Sequence, residues 1–396
     1  MITIKRGLNL PLSGQPAQEI SDGATIRSVA LIGFDYVGMK PTMDVREGDQ
    51  VALGQCLFTD KKNPGVKYVA PGAGRVAAIN RGQKRALQSI VIDLDGHDAI
   101  EFPRIASADL TQLDEEQARR QLIDSGLWTA LRTRPFSKVP AVDTTAHAIF
   151  VNAMDSNPLA ADPAVVIGER SAVFTDGLRV LSRLGANKLY CCAAPGLALD
   201  VGDSGAQLET FEGPHPAGLS GTHIHMLDAA SAKKVAWTIG YQDVIAIGRL
   251  FTEGQLPVER VIALSGACVD KPRLLRTRVG ASTDELTAGQ ISAKDPRVIS
   301  GSVFNGRKAR GPYAYLGRFH NQITVIEEGR EREFMSYLRA GVNKHSVLST
   351  FISRLTPSKT FAMDTSTNGS DRAMVPVGNF ETLMPLDILP TQLLRA

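Results

Sequence analysis

Along the first hundred residues the apolar positions come in short runs cut by glycine: "SVALIGFD", "QVALGQCLFTD", "KYVAPGAGRVAAI" and "LQSIVIDLDG". Runs of this length, ended by turn formers, predict strands in a small, turn-rich β domain. From Ser107 the texture changes to "SADLTQLDEEQARRQLIDSGLW". Here Asp109 or Thr111 is expected to cap a helix, Leu113, Leu122 and Ile123 to supply its buried side, and Gly126 to stop it. That helix marks the first domain boundary. The strand-like "HAIFVNAM", an amphipathic run from about Arg170 to Leu184, "KLYCCAA", a glycine-rich turn and a second helical run "AKKVAWTIGYQDVIAIGRLF" follow. Strands alternating with helices predict an α/β layer with a partly parallel sheet. Ligands of such sheets bind beyond the carboxyl ends of the strands, which places residues 155–161 and 212–225 on the functional edge. After Pro257, "RVIALSGACVDKPRLLRTRVGASTDELTAG" reads as two strands and a short helix, and "RVISGSVFNG" as a strand ending in an Asn305-Gly306 turn. The tail from about Glu331, including "REFMSYLRAGVNKHSVLSTFISRL", is expected to be helical and then irregular.

Composition narrows the class without naming a chemistry. A chain of 396 residues, 43% hydrophobic and 21% charged, is built for a soluble multidomain fold. Its 44 basic side chains nearly balance 41 acidic ones, so no overall field draws it to nucleic acid. No apolar run reaches the length of a membrane-spanning helix, and "MITIKRGLNLPLSG" lacks the core of a signal peptide, so a cytoplasmic protein is expected. Cys191 and Cys192 are adjacent, with Cys56 and Cys268 isolated; this is neither a CxxC pair nor a disulfide framework.

Four constellations could carry chemistry. "VREGDQVALGQCLFTDKKNPGVKYVAPGAGRVAAINRG" has the layout of a biotinyl/lipoyl-like barrel-sandwich domain, with tight turns at Gly48-Asp49 and Gly72–Gly74 and Lys61-Lys62 on a hairpin. The flanks of those lysines, Asp60 and Asn63-Pro64, lack the methionines of a carrier site, which favours a structural copy of the fold. His215, His223 and His225 could gather at a metal if the H-x-H pair lay on a strand, or could brace a turn by hydrogen bonds. Gly213, Gly218 and Gly221 precede a helix and could expose amides to phosphate, although the spacing departs from G-x-G-x-x-G. The stretch "SGLWTALRTRPFSKVP", 125–140, puts Arg132, Arg134 and Lys138 beside Trp128 and Phe136, and "LIGFDYVGMKPTMDV" repeats the mixture with Phe34, Tyr36, Met39 and Lys40. A ring bearing two carbonyl oxygens, such as a quinone, fits an apolar slot with donors at its rim. Interdomain packing, with arginine stems over aromatic faces, is the other reading.

Taken together, "MITIKRGLNLPLSG", "YVGMKPTMDVREGD", "DKKNPGVKYVAP", "DSGLWTALRTRPFSKVPA", "FEGPHPAGLSGTHIH", "ISGSVFNG", "PYAYLGRFHNQITV" and "TNGSDRAMVPVGNFETLMPLD" resemble the NqrA subunit of the bacterial sodium-translocating NADH:quinone reductase, from the first residue almost to the last. The resemblance implies an α/β multidomain protein. Its parts are a barrel-sandwich domain at 1–104, a Rossmann-like domain at 105–256, an SLBB-like β-grasp module at 257–330 and a C-terminal helical or irregular segment at 331–396. It implies a peripheral subunit on the cytoplasmic face of the inner membrane, bound to five other subunits and above all to the membrane-embedded ones. That complex oxidises NADH, reduces ubiquinone and exports Na+.

The same resemblance implies kinship with the C subunit of the Rnf complex and with the flavin-bearing NADH-oxidising subunit of respiratory complex I. Those relatives carry a glycine-rich flavin loop and a four-cysteine iron–sulfur motif. Here "WTALRTRPFSKVP" has lost the glycines, with Thr129, Leu131 and Thr133 in the flavin's space, and the cysteines have no counterpart. FMN, iron–sulfur centres, covalent cofactors and metals are therefore not expected in this subunit. Ubiquinone is expected as the substrate of the complex, contacted by Phe34, Tyr36, Met39, Lys40, Trp128, Arg132, Arg134, Phe136 and Lys138. No catalytic residue of its own is expected. The alternative is a purely structural subunit that caps the membrane partners and binds no small molecule. Family members continue past "MPLDILPTQLLRA", so a shortened chain is expected.

Overall fold

The computed structural model describes residues 1–331, 338–346, 350–370 and 373–396. The run "HAIFVNAM" forms the strand Ala148–Ala153 inside a six-stranded sheet. Lys188–Ala193 and Ala236–Gly240 flank it in parallel. Gln207–Glu212 and Ile2–Thr3 continue the parallel order on one side, and Arg132–Arg134 closes the other edge antiparallel. A parallel sheet covered on both faces needs apolar side chains on both. Val151, Cys191, Trp237 and Ile239 enter the largest core, while Phe150, Tyr190, Cys192 and Phe211 pack on the opposite face.

Two local expectations are corrected. The second helical run divides into the strand Ala236–Gly240 and the helix Tyr241–Glu253, which ends at Gly254 with φ 73°. Its apolar positions suit a helix face, but a strand buried beside Ala148–Ala153 uses them on both sides, and tertiary burial overrides periodicity. The cap of the boundary helix is Asp114, rather than Asp109 or Thr111. The Asp114 carboxylate accepts from the Glu116 and Gln117 N–H groups at 2.9 and 3.3 Å, so the helix is Glu115–Asp124 and Ser107–Gln112 is a 3-10 segment. The amphipathic run near 170–184 forms the helix Ser171–Ser182.

The glycine-cut runs form two small sheets. Ser28–Ile32, Leu87–Leu94, Gly74–Arg81 and Gln50–Val51 make one, and Pro41–Met43, Cys56–Asp60 and Lys67–Val69 the other. Two strands within the first 22 residues pair outside these two sheets. Ile2–Thr3 pairs with Phe211–Glu212, and Ala17–Asp22 pairs with the strand Arg273–Arg278 of a third sheet. That sheet also holds Glu259–Ser265, Gln322–Glu327, Pro296–Ser300 and Arg307–Lys308, over a core of Ile262, Leu264, Leu275, Ile323 and Val325. Of the helix expected from about residue 331, positions 332–337 and 347–349 lie outside the described residues, while 338–346 and 350–355 form turns and a 3-10 segment rather than an α-helix. These include the 3-10 turn at Ile352–Leu355, and short helices Asn379–Leu383 and Pro390–Arg395 follow.

Buried ions join the three layers. Asp243, in the first turn of Tyr241–Glu253, accepts from Arg260 at 2.9 Å and Arg318 at 2.8 Å, all three side chains being nearly inaccessible. Asp35 of the β domain holds the Arg307 guanidinium and accepts from the Arg318 N–H at 2.7 Å. Burial raises the Asp243 pKa, but the two guanidiniums outweigh it and hold the carboxyl below its ordinary 3.8. A depressed folded-state pKa gives stability that is present above the unfolded value and lost as pH falls through the folded pKa. Asp243→Asn leaves two buried guanidiniums sharing an uncharged partner and should cost roughly 3–5 kcal/mol in denaturant unfolding, with the deficit shrinking at acid pH.

Candidate functional site

The chain leaves the helix Glu115–Asp124 through Gly126, at φ 75°, into the buried turn Leu127–Ala130. Trp128 is fully buried there. Its Nε1 donates to the Pro140 carbonyl at 2.9 Å, its ring meets Trp237 edge-on at 5.4 Å, and the Arg119 guanidinium lies 5.6 Å from its centroid. Trp128 is thus a core residue, and its expected place in a ligand contact is corrected. Thr129 and Leu131 are buried beside it.

Residues 132–134 form an edge strand, paired antiparallel with Ala236–Thr238. Successive side chains of a strand leave on opposite faces, so Arg132 and Arg134 go to one side and Thr133 to the other. Beyond them the chain turns back. Thr133 N–H donates to the Lys138 carbonyl at 2.7 Å, Ser137 N–H to the Thr133 carbonyl at 2.9 Å, and Lys138 N–H to Thr133 Oγ1 at 3.2 Å. Phe136 stands at the tip, 71% exposed.

The 31–40 stretch is also divided. Phe34 is 74% exposed, while Tyr36 is buried between Tyr68 at 4.7 Å and Phe319 at 6.3 Å. Burial pushes the Tyr36 hydroxyl up to about 12. Met39 packs half-buried against the main core, and Lys40 is exposed with its N–H donating to Asp60 at 3.0 Å. The two stretches meet where the Lys138 side chain passes Gly38, whose missing Cβ would lie 3.8 Å from Lys138 Cε.

The nine expected residues therefore do not form one site. Lys138 lines a groove of about 750 Å³ with Val37, Gly38, Lys62, Thr133, Val139 and Trp237. Lys62 is held there because Asn63 Nδ2 donates to the Val139 and Pro140 carbonyls, each at 3.1 Å, pinning the hairpin to the α/β layer. Arg132 and Arg134 line a separate cavity of about 420 Å³. Tyr36 and Trp128 are packing residues, and Phe34, Phe136, Met39 and Lys40 line neither space. Thr133, Val37 and Trp237 were missed from the sequence. An alternating pattern at 132–134 was the one signal that could have separated the two arginines from Lys138.

The second cavity lies at the carboxyl ends of Ala148–Ala153 and Ala236–Gly240, on the expected functional edge, with Asn152, Asp155, Gly218, Ser220 and Tyr241 in its wall. Arg132 lies 4.2 Å from the Phe319 centroid. Burial, together with the Arg134 charge, pushes its pKa down to about 10, and burial lowers that of Arg134.

The histidines beside this cavity disperse. The expected H-x-H strand is the helix Ser220–Leu227, where positions two apart diverge around the axis. His223 Nε2 donates to the Ala217 carbonyl at 2.9 Å, His225 Nε2 accepts from the Asp387 N–H at 3.2 Å, and His215 lies against Ser156 and Phe304. Among the described residues no three His, Cys, Asp or Glu side chains are grouped to hold a metal. Burial pushes both His223 and His320 from 6.5 down to about 4. The unfolded chain then binds more protons between those values. Stability measured by urea unfolding should fall as pH drops from 6.5 toward 4, by up to about 1.4 kcal/mol per pH unit for each ring, and His223→Asn should flatten that slope.

Comparison with known proteins identifies the family. Residues 2–95 match the NqrA N-terminal barrel-sandwich hybrid domain, 113–256 the NqrA second alpha/beta domain, and 261–311 the NQRA C-terminal domain. The A subunit of the Na(+)-translocating NADH-quinone reductase of Pseudomonas aeruginosa (strain UCBPP-PA14) is 62% identical, over 100% of this chain and 88% of its own length. That of Hahella chejuensis is 58% identical, over 100% of this chain and 89% of its own length. Among solved structures, 57% of the chain overlays 49% of a chain of an NAD+-reducing [NiFe]-hydrogenase, at 13% identity and a TM-score of 0.43. Identity of this order along the whole chain, with all three family domains in sequence, means that the chain belongs to the NqrA family of Na+-translocating NADH-quinone reductase subunits.

Proposed function

We propose that the chain takes part in the quinone-reduction step of the sodium pump as a peripheral subunit without a redox cofactor of its own. The carrying observation is the convergence of the 34–38 and 133–138 loops on one groove. Its walls include Val37, Val139 and Trp237, and the Lys62, Lys138 and Lys233 side chains line it with them, while the Thr133 hydroxyl donates to the Pro135 carbonyl at 3.1 Å. A groove that sets apolar faces beside ammonium groups can take a ring with two carbonyl oxygens, and an ammonium favours the negative charge such an oxygen gains on reduction. NADH oxidation, flavin and iron–sulfur chemistry and Na+ transport would then belong to the partner subunits. No helix among the described residues is long and apolar enough to cross a membrane, in keeping with a subunit seated on membrane partners at their cytoplasmic face.

A second reading, assembly without any small-molecule site, is favoured by the exposed apolar tips Phe34, Val37 and Phe136, which a partner subunit would cover. Titration of the chain with a short-chain ubiquinone analogue, followed by tryptophan fluorescence, separates the two. Trp237 lines the groove and supplies the signal. On the quinone reading Lys138→Ala weakens binding roughly tenfold, the worth of one charge-assisted hydrogen bond, while Trp128→Phe leaves affinity unchanged. Absence of saturable quenching leaves the assembly reading standing.

A further inference from the structure

We propose that the cavity walled by Arg132, Arg134 and the start of the helix Ser220–Leu227 is a binding site for a small phosphorylated organic molecule. This site is independent of the quinone groove, since Thr133 and Lys138 face the other side of the edge strand. Arg132 and Arg134 project from one face of that strand into the cavity, and among the described contacts neither guanidinium has a carboxylate or hydrogen-bond acceptor. Two enclosed cations side by side repel each other, and a single monoanion would neutralise only one of them. The acids nearby are committed. Asp155, also in the wall, accepts from Asn157 N and Nδ2 at 2.9 and 2.7 Å, and Asp243 is shared by Arg260 and Arg318.

The helix start supplies a second set of donors. No side chain caps it, and the Thr222 and His223 N–H groups already bond to the Leu219 carbonyl. Among the described contacts the Ser220 and Gly221 N–H groups have no acceptor. A Cβ placed on Gly221 would meet nothing within 4 Å, so the approach to these amides is open. Two guanidiniums and two free amides around one space match the double charge and three oxygens of a phosphate monoester. The rest of the wall is mixed, with Met154, Ile239, Phe319 and Leu386 beside Asn152 and Asn321, so the ligand carries an organic group besides its phosphate. A volume of about 420 Å³ accommodates a small organic phosphate.

Calorimetric titration of the full chain with phenyl phosphate, inorganic phosphate and phenol tests the assignment. Phenyl phosphate should bind saturably at one site, at least about tenfold more tightly than either fragment, and Arg132→Gln/Arg134→Gln should weaken it by tenfold or more. Because the double variant could perturb the edge strand, hydrogen exchange on the unaltered chain gives a second reading, with phenyl phosphate protecting the Ser220 and Gly221 amides. Absence of saturable binding, equal affinity for inorganic phosphate, unchanged affinity in the double variant, or no protection at those amides would each overturn the proposal.

Discussion

Removing two guanidiniums and a carboxylate from water costs several kcal/mol per ion unless each finds well-placed partners, and the Asp243, Arg260 and Arg318 cluster meets that requirement only when the α/β layer and the third sheet are docked. Arg318 also ties in the β domain, since its backbone N–H donates to Asp35. The ion cluster is therefore satisfied only in this mutual placement of the three layers. Both candidate sites depend on it. Phe319, next along the chain, lies between Tyr36 of the β domain and Arg132 of the edge strand.

The edge strand Arg132–Arg134 turns that placement into two chemically distinct spaces. Its alternation sends one polar residue, Thr133, to the groove that holds Lys138 and Lys62, and two cations to the cavity at the carboxyl ends of the parallel strands. A basic and aromatic stretch that looks like one binding loop is thus a partition wall. Trp128 works from inside the wall, bonded to Pro140 and packed on Trp237, so that the turn Leu127–Ala130 is a rigid anchor for the strand that follows. The Lys61-Lys62 hairpin is anchored in the same way by Asn63, which suits a fixed lining better than a swinging carrier arm.

Membership of the NqrA family accounts for the three-layer organisation and for the role in a sodium-translocating complex, while the groove supplies a chemical reason for a quinone reading. Phe34 and Phe136, in the loops that flank Val37 and Lys138, are exposed aromatic tips.

Elements whose signal is local were legible in the sequence. "HAIFVNAM" and "KLYCCAA" are continuous apolar runs of strand length, and the 171–182 helix shows its face at the helical period. The family likewise followed from long matching stretches. Elements decided by a distant partner were not legible. Ala236–Gly240 became a strand because Ala148–Ala153 needed a neighbour, and two strands within the first 22 residues were drawn to the open edges of two remote sheets. The arginines that pair with Asp243 lie 17 and 75 residues from it, and no local pattern announces such a match. The sequence by itself thus determined the layers and the family, because burial patterns are written residue by residue. Only the tertiary structure decided which side of one short strand each cation faces, because a single-residue alternation acquires meaning once the strand is paired.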